Sequence, residues 1–279
     1  MRIACGGVTD VGRVRTNNED CFRIVTALNL FVLSDGMGGE AHGEIASALA
    51  VETVVKHCMD AETNPAARVV GPTQPEWSAN TKRLSTALHL ANRNIFKSAE
   101  EHPEQHGMGA TLTAAWVNGS KLSISHVGDS RAYLLRGGSL LQLTRDHSLV
   151  AEQVRRGMLT VAEAEESEMQ SVLLRALGAQ AEIEVDAEEH QLFPRDILIL
   201  CSDGLTRMVT EPEIAGVLQA ERDPMSAAQE LVSLANERGG PDNITVVVVR
   251  LEKESKGWFS WLRRGAPKNL GSNGNAGGK

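Results

Sequence analysis

Four aspartates stand beside small residues at the ends of apolar runs. Phe31-Val32-Leu33 leads into Ser34-Asp35-Gly36, and Ile197–Leu200 leads into Cys201-Ser202-Asp203-Gly204. Asp242 precedes the last apolar run in Gly240-Pro241-Asp242-Asn243-Ile244, and Asp129 sits between two runs in Gly128-Asp129-Ser130-Arg131. Each pair alone reads as a turn, because Asp bonds its own backbone and Gly accepts positive φ. As a set, they could converge at one edge of a packed pair of sheets. Converging carboxylates repel unless protonated or bound to metal. Hard cations such as Mg2+ or Mn2+ take carboxylate, carbonyl and water oxygens, and a neighbouring glycine lets a backbone carbonyl reach the same ion. The run Gly12-Arg13-Val14-Arg15-Thr16-Asn17-Asn18-Glu19-Asp20 adds an arginine just ahead of an acidic pair. A guanidinium can hold a phosphate through two parallel hydrogen bonds; a solvated polar loop is the other reading of that cluster.

The elements around these residues alternate in groups. Short runs rich in Val, Ile and Leu predict strands at Phe22–Ala27, Leu30–Leu33, Thr111–Val117, Leu122–Val127, Ala132–Leu135, Asp196–Cys201 and Ile244–Leu251. Asn118-Gly119 and Gly137-Gly138 predict hairpins, which would join Lys121–Val127, Arg131–Arg136 and Ser139–Thr144 into an antiparallel meander. Helical periodicity is clearest over Leu84–Ala99, where Leu84, Ala87, Leu88, Ala91 and Ile95 share a face. Gly43–Cys58 and Met225–Glu237 are further helices, the second stopped by Gly239-Gly240-Pro241. Grouped strands with grouped helices predict an α+β layered fold. Glu62–Glu76 carries three prolines and should loop out, and the polar, acidic His147–Ser171 reads as short helices in a surface flap. The pattern ends after Leu251, and Gly271–Lys279 has the composition of a disordered end.

With 279 residues, 42% of them hydrophobic, the chain can bury a sizeable core. No apolar run approaches the ~18 residues of a membrane span, and MRIACGG lacks a signal-peptide stretch, so a cytoplasmic protein is expected. The net charge is -8, but residues 1–252 carry 22 basic and 35 acidic residues. An acidic body argues against nucleic acid as a partner. Cys5, Cys21, Cys58 and Cys201 form no metal-binding spacing and read as small buried hydrophobes.

Seven motifs in order give these observations a common frame. They are Arg15-x-x-Asn18-Glu19-Asp20, Ser34-Asp35-Gly36-Met37-Gly38-Gly39, Gly107-Met108-Gly109-Ala110-Thr111, Gly128-Asp129-Ser130-Arg131 with Tyr133, Thr144-x-Asp146-His147-Ser148, Ser202-Asp203-Gly204-Leu205 and Gly240-x-Asp242-Asn243. In them the chain resembles the metal-dependent Ser/Thr protein phosphatases of type 2C, in their compact bacterial form. The resemblance implies an α-β-β-α sandwich: two packed antiparallel β-sheets flanked by helices, with two Mn2+ or Mg2+ ions at one end. It implies a phosphatase domain over residues 1–252 with a flap at about 147–171. By match, Asp35 bridges both ions, Asp203 and Asp242 hold one, and the Gly36 carbonyl helps hold the other. Glu19 acts through water, Asp20 supports it, and Asp129 with Asp203 holds a third, weaker ion. Arg15 grips the substrate phosphate. The reaction implied is hydrolysis of phosphoserine and phosphothreonine by a metal-activated water, opposing a cognate Ser/Thr kinase. A weakly active or inactive phosphoprotein-binding regulator is the alternative, as is an enzyme dedicated to one partner.

The chain departs from the family pattern at the expected general acid. Met37 and Glu40 stand where relatives place histidine, which leaves His42 or a metal-bound water as the proton source. In the flap, Glu168-Met169 replaces a common His-Pro pair. The tail 253–279 is basic, holds Trp258 and Trp261, and could dock on an anionic membrane or a partner. With no coiled-coil or interface stripe, a monomer is expected.

Overall fold

The computed structural model describes residues 1–38, 42–63 and 69–253. The chain opens with β1 (Arg2–Asp10), β2 (Asp20–Val25) and β3 (Leu30–Met37), then α1 (Gly43–Thr63) and α2 (Ala79–Glu101). Next come β4 (Gly109–Ala110), β5 (Leu112–Asn118), β6 (Lys121–Val127), β7 (Arg131–Arg136) and β8 (Ser139–Gln142), followed by α3 (Leu149–Arg155) and α4 (Val161–Glu165). Finally β9 (Asp186–Gln191), β10 (Ile197–Cys201), α5 (Asp203–Thr206), α6 (Glu211–Ala220) and α7 (Pro224–Glu237) lead to β11 (Ile244–Glu252).

The strands form two antiparallel sheets. One has the order β1-β11-β10-β7-β8; the other runs β2-β3-β5-β6-β9, with β4 paired to β3. Their central strands are apolar on both faces because both faces are covered, and alternate side chains serve different layers. Phe31 and Leu33 of β3 meet Leu198, Leu200, Val247 and Val249 between the sheets. Leu30 and Val32 turn outward to Val54, Leu84, Leu88 and Ile95 of α1 and α2. Ile199, Cys201, Val246 and Val248 turn the other way, to Ile214, Leu218 and Leu231 of α6 and α7. The result is the expected α-β-β-α sandwich. Cys201 is therefore a packing residue: burial pushes its thiol up to about 12, far from a nucleophile.

The predicted meander is corrected. β5 and β6 form a hairpin through Asn118-Gly119, and β7 and β8 one through Gly137-Gly138. However, β6 and β7 lie in different sheets. Between them the chain crosses the sandwich at Gly128, whose φ is +103° and where a Cβ would sit 2.6 Å from Thr111. Thr113 Oγ1 then donates to the Ser130 carbonyl at 2.6 Å, which anchors the crossing. Two edge strands, β1 and β9, have no counterpart among the predicted runs. Helix α1 reaches Thr63, two residues into the segment expected to loop out, and α3 and α4 supply the short helices expected of the flap. The Trp258 and Trp261 tail lies outside the described residues, as does Glu40. No helix among the described residues is long and apolar enough to cross a membrane.

Candidate metal centre

One end of the sandwich gathers the acidic residues. Asp20 and Asp35 are register partners across β2 and β3. Asp203 opens α5 directly after β10, and Asp242 lies just before β11. Asp129 sits in the crossing between sheets. Close backbone approaches make this convergence possible. A Cβ on Gly36 would lie 2.0 Å from the Gly43 carbonyl, and one on Gly204 would lie 2.0 Å from the Asn243 carbonyl. Only glycine lets the start of α1 and the turn before β11 pack this tightly.

Hydrogen bonds fix the supporting groups. Asp20 Oδ2 accepts from Ser202 Oγ at 2.8 Å and Thr245 Oγ1 at 2.6 Å, both in the opposite sheet's loops and strands. The Asp35 amide donates to Thr111 Oγ1 at 3.0 Å, and Thr111 Oγ1 in turn lies 2.7 Å from Ser130 Oγ. Asn243 Oδ1 accepts from the Glu19 amide at 2.8 Å, while its Nδ2 donates to the carbonyls of Val11 and Asn17. Asn243 thus ties the N-terminal loop to the mouth of β11. Arg15 forks onto Asp242, with Nε 3.0 Å from Oδ1 and Nη2 3.1 Å from Oδ2.

The cluster carries more negative charge than it can hold alone. Burial pushes Asp20 and Asp129 up to about 7 each, with the neighbouring Asp203 adding to both. Asp35 is raised well above the carboxylate range by burial and then by Asp20, Asp203, Asp129 and Asp242. Burial also raises Asp203, against the pull of Arg207. Glu19 is raised by burial and by Glu44. Two buried oxygens, Asp20 Oδ1 and Asp203 Oδ1, have no hydrogen-bond partner. Crowded anionic oxygens without donors fit hard divalent cations, and no softer ligand stands among them.

A cleft of 760 Å³ opens over this floor. Arg15, Glu19, Asp35, Gly36, Met37, Asp129, Asp203 and Asp242 line it together with Ser171 at the far end of the flap and Leu173 just past it. Of the residues expected at the site, Asp20 lies behind the floor as a buried support. His42 directly precedes α1, where its carbonyl accepts from the Ala46 amide, and no imidazole is among the described residues lining the cleft. Arg207 was not foreseen. It pairs with Asp203 and lies 3.6 Å from Asp242. Its one legible signal is a position four residues after Asp203, the spacing at which helical side chains meet.

A four-layered sandwich with a carboxylate-floored cleft at one end is the architecture of metal-dependent phosphatases. Residues 13–239 match the profile of protein phosphatase 2C, and the chain belongs to that family. It is 38% identical over 252 residues to the serine/threonine phosphatase stp of Listeria welshimeri, covering 89% of this chain and 96% of that protein. It is also 38% identical to the serine/threonine protein phosphatase PstP of Mycobacterium tuberculosis, over 86% of this chain and 43% of that longer protein. The crystal structure of the latter phosphatase superposes with a TM-score of 0.79 at 36% identity, over 90% of this chain and 99% of that one. A structure of the PstP catalytic domain in complex with two manganese ions matches with a TM-score of 0.77 at 35% identity, over the same shares.

Proposed function

We propose that this chain hydrolyses phosphoserine and phosphothreonine in proteins, with Asp35, Asp203, Asp242 and the Gly36 carbonyl holding two Mn2+ or Mg2+ ions. The observation that carries the assignment is the buried carboxylate cluster, with two orphaned oxygens, under a cleft rimmed by Arg15. When bound, the ion pair supplies an activated water and neutralises charge on the phosphoryl oxygens. The protein's own residues do the rest. Arg15 is half exposed, and its fork onto Asp242 is an exchangeable surface pair. It can therefore leave Asp242 to the ions and turn the same fork onto the incoming phosphate. Asp20 holds the floor in register through Ser202 and Thr245. Glu19, just ahead of β2 and beside the N-terminus of α1, accepts from the Gly43 amide and orients water at the rim.

We further assign residues 1–252 as the catalytic unit, a Ser/Thr kinase as its opposing enzyme, and a monomeric, cytoplasmic state. The tail with Trp258 and Trp261 is assigned to docking on a membrane or partner. A regulator that only bound phosphoproteins would have no need for the full carboxylate set, so the enzymatic reading is preferred. The direct test is phosphate release from a phosphothreonine peptide with Mn2+, with EDTA, and with Asp203→Ala. Turnover that requires Mn2+ and drops by about 10²-fold or more in the variant is expected. Folded, Mn2+-loaded protein without turnover would overturn the assignment.

A further inference from the structure

Among the described residues lining the cleft, Arg207 is the one cation that the reaction above does not use. It caps α5, and its amide donates to the Asp203 carbonyl at 2.9 Å. Its Nη2 then folds back onto Asp203 Oδ2, while Nη1 lies 3.6 Å from Asp242 Oδ2. The side chain is only 23% exposed, less than half the exposure of Arg15 at 52%. Its charge also reaches Asp129, whose ionised form it favours. Arg207, Asp129 and Asp203 line both the metal cleft and the adjoining 700 Å³ cleft beneath the flap helices. The guanidinium therefore pairs with Asp203 where the two clefts that Asp129 also lines adjoin.

We propose that Arg207 is the resident counter-charge of the Asp129–Asp203 corner and keeps a third divalent ion out of it. The two oxygens of Asp203 are divided between tasks. Oδ2 is held by Arg207, while Oδ1 is buried without a donor and left for the catalytic ions. A further ion at the corner must take Oδ2 from Arg207 and then sit against a fixed positive charge in a partly desolvated site, where repulsion is poorly screened. Arg207 thus does permanently what an exchangeable cation would do only at high concentration. Catalysis in this chain should accordingly not vary with occupancy of a third ion.

This inference rests on the two-ion reading, and the experiment separates them. Mn2+ is titrated into the EDTA-stripped full-length chain, and free Mn2+ is followed by electron paramagnetic resonance. The wild type should bind two ions. Arg207→Gln should bind three, the third about tenfold or more tighter than any further site in the wild type. Arg207→Lys should stay at two, and adding Asp129→Asn to Arg207→Gln should remove the gained ion. Arg207→Met serves if the Gln variant does not fold. A third ion of equal affinity in wild type and variant, or a folded variant that stays at two, would overturn the proposal. A wild type that binds no ion would overturn the two-ion reading with it.

Discussion

Asp20 and Asp129 set how the ion-free protein responds to pH. Both titrate near 7 in the fold, against an ordinary value of 3.8. The folded chain therefore binds protons that the unfolded chain releases. Stability contributed by these groups is present below pH ~4 and is lost as pH rises to ~7. Divalent ions compete with those protons and remove the penalty. The rise in melting temperature on adding Mn2+ should therefore be small near pH 5 and several-fold larger near pH 8, measured by calorimetry at fixed ion excess. Equal rises at both pH values would mean that the carboxylates are already ionised in the ion-free fold. The acidic residues themselves were legible in the sequence, since four Asp beside small residues at strand ends is an uncommon set. Arg207 was not, because a helical i,i+4 partner to an aspartate usually marks nothing more than a surface pair. His42 was singled out through proximity in sequence, and it directly precedes Gly43, whose carbonyl packs on Gly36.

At the level of elements, the site depends on α1 packing its first residue against the end of β3. Gly36→Ala would drive a methyl group into the Gly43 carbonyl. The helix start would have to shift, at a cost of about 2–3 kcal/mol, and the Glu19 carboxylate beside Gly43 would move with it. Urea unfolding should register the loss, and Mn2+ affinity should fall in parallel. Unchanged stability would mean that this contact relaxes freely. The central strands were readable because burial on both faces leaves unbroken apolar runs. The edges were not. β9, Asp-Ala-Glu-Glu-His-Gln, is an edge strand whose residues are mostly polar, and polar edges guard against pairing with other chains. β1 carries Gly6 and Gly7, chosen for close approach rather than β-propensity: a Cβ on Gly6 would meet the Met225 backbone at 2.5 Å. The assignment of β6 and β7 to one meander failed because turn chemistry states that a chain bends, not which sheet it bends into.

For the molecule as a whole, β11 binds the two ends of the design. Its first residue, Ile244, follows the metal-site loop, while its last, Glu252, pairs with Arg2 of β1 at the opposite end. Glu252 therefore lies at the end of the sandwich away from the cleft. A chain ending at Glu252 should melt within a few degrees of the full chain and keep its turnover on a small aryl phosphate; a large loss of either would assign the tail to the catalytic unit. The clasp made by Asp20 has a mechanical consequence. One carboxylate, rooted in one sheet, is gripped by two hydroxyls rooted in the other. Prising the sheets apart must open that grip before it disturbs the helices outside. The ion site is thus a strain gauge for the seam of the sandwich: under pressure or mild denaturant, cations should escape while the outer layers still stand.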